Sequence, residues 1–262
     1  MPELAEVKIM SDFVNDKSKN TRFIQAWHVE KGNNPKPFDY QHKFNIQSDT
    51  NGKELILNLY NRVGEELPIH VFMGMNGNWK WVETENWDKT KYVRMKFDSE
   101  CGNSLLLFGG FMGPKYSVGK PFKGTKRGPD PTKKFDEFKS NVLNNLNKKD
   151  FDKPICEVLL NQEYFNGIGA YLNSEIIGRL DIDPFRKFKS LKNFELERLF
   201  YMILKCCKES YEYGGGELRD WKNPFGENRI DEWLKFYNKK DICYKQQFGK
   251  RNIWIQKKWK VT

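Results

Sequence analysis

The chain has 262 residues, with 45 Lys and Arg against 35 Asp and Glu, a formal net charge of +10, and 38% hydrophobic and 15% aromatic residues. This is enough apolar material for one large core or two ordinary ones, and the basic excess suits a polyanion such as nucleic acid as well as it suits a lysine-rich surface. No run has the length and apolarity of a transmembrane helix and residues 1–20 lack the apolar centre of a secretory leader, so a soluble intracellular protein with no membrane partner is expected. The five cysteines (Cys101, Cys156, Cys206, Cys207, Cys243) form no C-x-x-C pair, and their odd number points to reduced thiols. The three histidines, His28, His42 and His70, are far along the chain from Cys243, so no zinc site is expected.

In chain order, Ala5–Phe13 reads as a short helix with Val7, Met10 and Val14 on one side. Strand-like runs follow at Phe23–Val29, Glu54–Tyr60, His70–Met73, Trp79–Val82, Tyr92–Phe97 and Ser104–Phe108, with Asn51-Gly52 and Asn76-Gly77 as turn dipeptides between them. An antiparallel sheet or sandwich with the helix against it is the economical reading. Residues 113–133, rich in Gly, Pro and Lys, read as a basic linker between an N-terminal domain (1–112) and a C-terminal one (134–262). Helical spacing then takes over: Phe135, Phe138, Val142, Leu143 and Leu146 share one face, as do Leu196, Leu199, Phe200, Ile203 and Leu204. The tail returns to strand character, with Ile242–Gln246 and Asn252–Gln256 flanking a turn at 248–250.

Residues 151–185 carry the most information. Pro154 suits a first helical turn, since its missing N–H is one a helix leaves unpaired. A helix through Ile155, Val158 and Leu159 would stop near Gln162, and a second would begin at about Gly169. Asn166-Gly167-Ile168-Gly169 between them would turn sharply, with N–H groups at a helix start that suit a phosphate. Read from spacing alone, a helical corner with glycines for packing is the better account, because short Gly motifs match by chance.

The whole run resembles the helix–two-turn–helix of the formamidopyrimidine-DNA glycosylase/endonuclease VIII family, nearest to the animal-type endonuclease VIII-like branch that lacks zinc. Members carry P-I-C-E-x-L-L-x-Q-x-x-F-N-G-I-G-N-Y-L-x-x-E-I, and this chain departs mainly at Ala170, where Asn is usual. The resemblance covers nearly the full length. It implies an α+β protein: an N-terminal β-sandwich with a leading helix, then a helical helix–two-turn–helix domain with a zincless β-hairpin finger at about 239–260. It further implies that Asn166 and the amides around Gly167 and Gly169 hold a DNA phosphate.

Removal of Met1 would leave Pro2 as a secondary amine, and an α-amino group with an unperturbed pKa near ~8 is partly unprotonated at neutral pH. Such an amine can attack C1′ of a damaged nucleoside to give an iminium ion, which acidifies the C2′ proton and invites loss of the 3′ phosphate. The adjacent Glu3 can move protons. Many intracellular proteins begin Met-Pro, so by itself this opening says little. The family opens P-E-G-P-E, and Pro2, Glu3 and Glu6 match it, with Leu4 and Ala5 in place of Gly-Pro. The family's essential lysine stands in a G-K-x-L turn, which implies that role for Lys53 in Gly52-Lys53-Glu54-Leu55; without that context it reads as solvated surface.

The tail Lys239–Lys260 holds eight Lys or Arg against one acid, Asp241, and would grip DNA or simply form a soluble edge. In the family this hairpin carries a phosphate-gripping arginine, a position matched by Arg251. The family fills the gap left by a flipped base with a methionine in F-x-x-G-M-S-G, matched by Met75, which is otherwise free to pack on a neighbouring loop. The D-x-R-R-F-G run that supplies the other fillers is replaced by Gly109-Gly110-Phe111-Met112-Gly113-Pro114, without acid or arginines. Weak opposite-base discrimination and activity on single-stranded or bubble DNA are therefore expected. Arg219 and Trp221 fall where relatives carry a cap over the flipped base, and each reads equally as loop surface.

The implied activity is removal of oxidised bases, pyrimidines by branch, through a Pro2 Schiff base with strand cleavage by β,δ-elimination. No metal or organic cofactor is expected. The partner is damaged DNA, double-stranded and also single-stranded, with the protein a monomer located in the nucleus if eukaryotic and otherwise at the site of DNA replication. A non-catalytic damaged-DNA-binding protein that keeps the clamp is the alternative.

Overall fold

Residues Leu4–Ser18 form helix α1, longer at both ends than Ala5–Phe13, with Val7, Met10 and Val14 fully buried along one stripe. Asn20, at φ +62°, takes the left-handed conformation just beyond its end. The structure is a computed structural model and describes residues 1–30, 34–38, 40, 42–123, 126–216, 221–226, 228–248 and 251–260. Contacts divide the chain into two units: Met1–Pro2, Glu6–Gly124 and Glu217–Asn228 form the first, and Glu3–Ala5, Thr125–Gly216 and Arg229–Thr262 the second.

The first unit contains β1 (Phe23–Glu30), β2 (Asn34–Pro37), β3 (Phe44–Asn51), β4 (Glu54–Asn61), β5 (Glu66–Phe72), β6 (Asn78–Glu83), β7 (Val93–Ser99), β8 (Asn103–Phe108) and β9 (Lys115–Val118). They pair antiparallel in the order β6-β8-β7-β1-β3-β4-β5-β9, with β2 beside β1. β1 and β3 meet at one pair, Phe23 with Phe44, so the ladder nearly breaks there into two halves. Phe97, Leu105 and Leu107 from one half and Leu55, Leu57, Ile69 and Val71 from the other share one buried cluster with α1, which is the sandwich core.

Three strands were not legible in the sequence. In β3 the inward positions after Phe44 and Ile46 are Ser48 and Thr50, which dilutes the alternation; Ser48 instead bonds Ser11 of α1 (Oγ–Oγ 2.9 Å). β9 lies within the stretch read as linker, and β2 is a four-residue edge containing two prolines. β5 begins at Glu66 rather than His70. Trp221 is neither loop surface nor poised for a ligand: it is 3% exposed in the same core, and its indole N–H donates to Met10 Sδ at 3.3 Å. Arg219 lies outside the described residues.

The second unit contains α2 (Phe135–Leu143), α3 (Ile155–Val158), α4 (Ala170–Leu180), α5 (Asn193–Glu212), α6 (Ile230–Trp233) and the hairpin β10 (Cys243–Phe248) and β11 (Arg251–Gln256). Its core is largely aromatic: Phe138 packs on Phe165 and Phe200 (ring centroids 5.9 and 5.6 Å), and Phe188 on Phe151 and Phe165 (5.2 and 5.5 Å). Leu143, expected on the buried face of α2, is exposed because it is the helix's last residue and lies beyond the buried Phe138–Val142 stripe. α3 is a single turn, and Pro154 is its extended N-cap rather than a helical residue. The backbone of Pro154 bridges to Lys187, and Ile155 N–H donates to Arg186 O at 3.0 Å, so the segment is held by strand-like contacts.

Candidate active site

In the second unit the Glu3 side chain enters the start of α4. Its Oε2 accepts the N–H of Gly169 at 2.7 Å and of Leu172 at 3.3 Å, and its Oε1 accepts the N–H of Tyr171 at 3.0 Å. Leu4 N–H donates to Gly167 O at 3.0 Å beside it. First-turn amides of a helix lack intrahelical acceptors and carry the positive end of the macrodipole, so they stabilise negative charge at this point. The two glycines make the approach possible. A Cβ on Gly169 would lie 2.3 Å from Glu3 Cδ and Oε1, and one on Gly167, at φ +99°, would lie 2.7 Å from the Leu4 side chain. The residue just before Glu3 is Pro2, buried in the first unit.

This arrangement changes the part assigned to the turn. The Gly167 and Gly169 amides do not project freely toward a phosphate: Gly167 N–H donates to Gln162 Oε1 at 3.1 Å, and Gly169 serves Glu3. The anion at this helix start is the chain's own carboxylate, leaving Ala170 N–H as the early amide not bonded to it. Asn166, expected as a phosphate clamp, is fully buried; its Nδ2 donates to Gly128 O at 2.8 Å and its Oδ1 accepts from Arg127 Nη1 at 3.3 Å. Its side chain fastens the turn to the segment before α2. Arg127 escaped sequence reading because it lay in the stretch taken as a linker.

Two further residues of this unit were missed. Glu175, fully buried on α4, accepts the N–H groups of Lys235, Phe236 and Tyr237 (Oε1 at 3.0, 2.8 and 2.9 Å) and the Arg179 Nε at 3.2 Å. A buried charge persists only when so compensated. Tyr237, set by that hub, packs edge-on against Tyr171 and Trp254; burial and then the Glu3 charge push its hydroxyl pKa up. The signal available was a glutamate on the same predicted helix as Tyr171, Leu172, Ile176 and Ile177.

The hairpin is attached to α4 by Trp254 N–H, which donates to Ser174 Oγ at 2.9 Å, with Ile253, Ile255 and Cys243 buried. Arg251, half-buried and opposite Phe248, donates from Nη1 to Leu160 O at 3.0 Å. Cys243 is the single cysteine of this region, so its residues do not fit the zinc of family fingers. No group of three or more His, Cys, Asp or Glu side chains among the described residues could hold a metal ion.

In the first unit β3 and β4 meet through the pair Asn51 and Glu54, leaving Gly52-Lys53 as a two-residue turn with Gly52 at φ +58°, as a type II′ hairpin turn requires at its first position. Lys53 is 4% exposed and Glu6 is 1% exposed, so neither is solvated surface, and ionised side chains buried to this degree need polar partners. Elsewhere in the unit, Met75 N–H donates to Met112 O at 2.7 Å, and a Cβ on Gly74 (φ +64°) would collide with Met112 O and Gly113 O at 2.3 Å. The loops 73–77 and 109–114 thus pack backbone to backbone. Met75 is half-buried in that contact, whereas Phe111 at the tip is 100% exposed.

No protein-family model matches the chain. It is 36% identical to human endonuclease 8-like 1 over 299 residues, covering 98% of this chain and 72% of that protein. Among solved structures, the MutM (Fpg) protein of Thermus thermophilus superposes with a TM-score of 0.77 at 19% identity, covering 97% of this chain and 96% of that one. A Lactococcus lactis Fpg in complex with DNA containing an abasic site gives 0.76 at 16% identity, covering 99% and 100%.

Proposed function

Since the chain belongs to the formamidopyrimidine-DNA glycosylase/endonuclease VIII family, in its endonuclease 8-like branch, and is a DNA glycosylase with AP lyase activity in base excision repair, we propose that Pro2, freed of Met1, is its nucleophile. The amine attacks C1′ and the glycosidic electron pair leaves with the base, which takes up a proton; the C1′–O4′ bond then breaks, O4′ taking a proton, and the resulting iminium lets a base remove the C2′ proton. β-Elimination then expels the 3′ phosphate, and a second elimination expels the 5′ phosphate. Glu3 and Lys53 serve proton transfer and charge stabilisation around the sugar, and Glu6 supports the opening turn of α1. The observation that carries the reading is the Glu3 carboxylate locked by three helix-start amides, one residue from the amine.

DNA phosphates are held by Arg251 and by the turn that Asn166, Gly167 and Gly169 build, through the Ala170 amide and the turn's shape rather than the Asn166 side chain. Phe111, with Met75 behind it, fills the space left by the extruded base. Oxidised pyrimidines are the preferred lesions, in single-stranded and bubble DNA as well as duplex, and the enzyme acts as a monomer, in the nucleus of a eukaryotic cell or at the replication site otherwise. No helix is long and apolar enough to cross a membrane among the described residues. The test is borohydride trapping across oxidised pyrimidines and purines, in single and double strands, with protein verified by mass spectrometry to lack Met1. A covalent adduct, strongest on pyrimidine lesions, is expected; DNA binding without any adduct would remove Pro2 from the mechanism.

A further inference from the structure

Tyr92, in the turn that leads into β7, has φ +61°. A bulky side chain is strained in that conformation, which glycine adopts freely. The ring brings no packing in return: it is 63% exposed, and it meets neither another ring nor a hydrogen-bond partner for its hydroxyl among the described residues. Backbone strain kept for the sake of an exposed aromatic side chain points to a ligand outside the chain rather than to the fold.

The backbone at Tyr92 is tied to the loop that carries Phe111. Gly109 N–H donates to Tyr92 O at 3.1 Å, and Gly109 stands two residues before Phe111, so the two aromatic residues leave one end of the sheet about 12 Å apart at most along the backbone. The next residues of β7 form a bulge: Val93 pairs with Phe108 and Met95 with Leu107, which leaves Arg94 as the extra residue. Val93 accordingly joins a cluster with Val29 and Leu106, while Met95 enters the sandwich core. Arg94 reaches the same loop, its Nη2 donating to Gly110 O at 3.4 Å. Tyr92 is thus fixed beside the tip at which Phe111 is fully exposed and Met112 is 55% exposed. The charge here is positive: Trp87–Phe97 holds Lys89, Lys91, Arg94 and Lys96 against one acid, Asp88. Lys91, Arg94 and Lys115 make no ion pair among the described residues, and Glu30, the acid on the neighbouring β1, is paired with Lys36 at 3.0 Å.

From this geometry we propose that Tyr92 stacks on an unpaired nucleobase of the DNA: the orphaned partner of the flipped nucleotide in a duplex, or a base flanking the lesion in a single strand. The inference rests on the glycosylase reading above, in which Phe111 fills the space left by the extruded base. An exposed ring with cations beside it is how proteins hold unpaired bases, the ring taking the base and the cations the phosphates. Stacking uses the π-face that every base presents, so Tyr92 holds the base without reading its identity. Lys91 and Lys115 contribute the phosphate contacts, and Arg94 keeps the Phe111 loop in place next to the ring.

The probe is DNA with an uncleavable abasic-site analogue, carrying the fluorescent base 2-aminopurine either opposite the site in a duplex or next to it in a single strand. Tyr92→Gly removes the ring and suits the backbone, so its Tm should be no more than about 2 °C below that of the full-length parent. It should bind at least one of the two DNAs at least about fivefold more weakly than the parent. In that complex 2-aminopurine should be at least about twice as bright, because stacking on the ring quenches it. Tyr92→Phe should match the parent, and affinity for undamaged duplex should stay within about twofold in both variants. A response confined to the duplex names the orphaned base as the ligand, and one confined to the single strand names the flanking base. The proposal is overturned if Tyr92→Gly equals the parent on both DNAs, if Tyr92→Phe behaves like Tyr92→Gly, or if undamaged duplex is weakened equally. It is overturned too if Tyr92→Gly melts well below the parent, since the ring then serves the fold. None of these readouts needs the Pro2 amine: a parent that binds the analogue yet never forms a borohydride adduct loses Pro2 as nucleophile and leaves Tyr92 standing.

Discussion

Gly169→Ala puts the Glu3 cradle to a direct test. Gly169 has φ −128°, open to any residue, so the substitution adds a methyl group without backbone strain. That methyl would lie 2.3 Å from Glu3 Cδ and Oε1 and 2.8 Å from Cγ, so the carboxylate must withdraw by about 1 Å to reach ordinary contact. Withdrawal breaks the 2.7 Å bond from Gly169 N–H and loosens those from Tyr171 and Leu172. Hydrogen bonds to a charged group contribute about 1.5–3 kcal/mol each, so losing two sets a ceiling of roughly 3–6 kcal/mol on the fastening. A displacement of ~1 Å next to the reacting centre lowers the rate by about 10²-fold, so single-turnover cleavage should fall by roughly 10²–10³. Undamaged-DNA affinity should fall far less than cleavage, because Gly169 belongs to only one of the proposed phosphate contacts and Arg251 is untouched. The assay is single-turnover nicking of an abasic-site duplex by Met1-free protein, with anisotropy on undamaged DNA and near-ultraviolet circular dichroism alongside. Adding Glu3→Asp shortens the side chain by one methylene, clears the methyl, and should recover at least about tenfold. Parent-like cleavage by Gly169→Ala, or no recovery in the double variant, would refute the cradle as the element that places the N-terminus.

Other outcomes follow from the same geometry. Arg251→Ala should lower the slope of log affinity against log salt by about 0.9, the share of one phosphate contact; an unchanged slope would take Arg251 off the DNA. Phe111→Ser should reduce cleavage of duplex lesions more than of single-stranded ones, with rates across the four opposite bases within about threefold before and after; strong preference for one opposite base in the parent would contradict the apolar tip. Arg186, and then the Lys192 N–H, hold the Glu195 carboxyl at about 2 against an ordinary 4.5. A depressed carboxyl contributes stability that is complete above pH 4.5 and lost as pH falls toward 2. Glu195→Gln should therefore cost on the order of 1 kcal/mol near pH 7 after solvent screening, a deficit that vanishes by about pH 2 in urea titrations. Burial pushes the Cys156 and Cys206 thiols up to about 12 and Cys243 up to about 11, whereas exposed Cys101 is lowered by its hydrogen bond with Ser99. Native protein should thus react quickly with Ellman's reagent at one thiol, and Cys101→Ser should abolish that phase.

The amino-acid sequence alone determined whatever depends on neighbours a few residues apart. The apolar stripe of α1, the Asn166–Gly169 corner and the helix that follows were legible, because 3.6-residue periods and glycine punctuation act locally, whereas the turn expected at Asn51-Gly52 lies one residue on, at Gly52-Lys53, with Asn51 paired to Glu54. The family to which the chain belongs could also be read there, from the run around Asn166. What only the tertiary structure decided is where polar groups find partners. Glu3 meets Gly169 across 166 residues, Trp221 enters the core at Met10 across 211, and Asn166 turns inward to Gly128. Each was expected at a surface or against a ligand, since its residue type favours exposure or function when its surroundings are unknown. Burial and hydrogen-bond satisfaction are settled by which distant segments pack together, and no local period records that. The Glu3 amide cradle at the start of α4 arises from that packing.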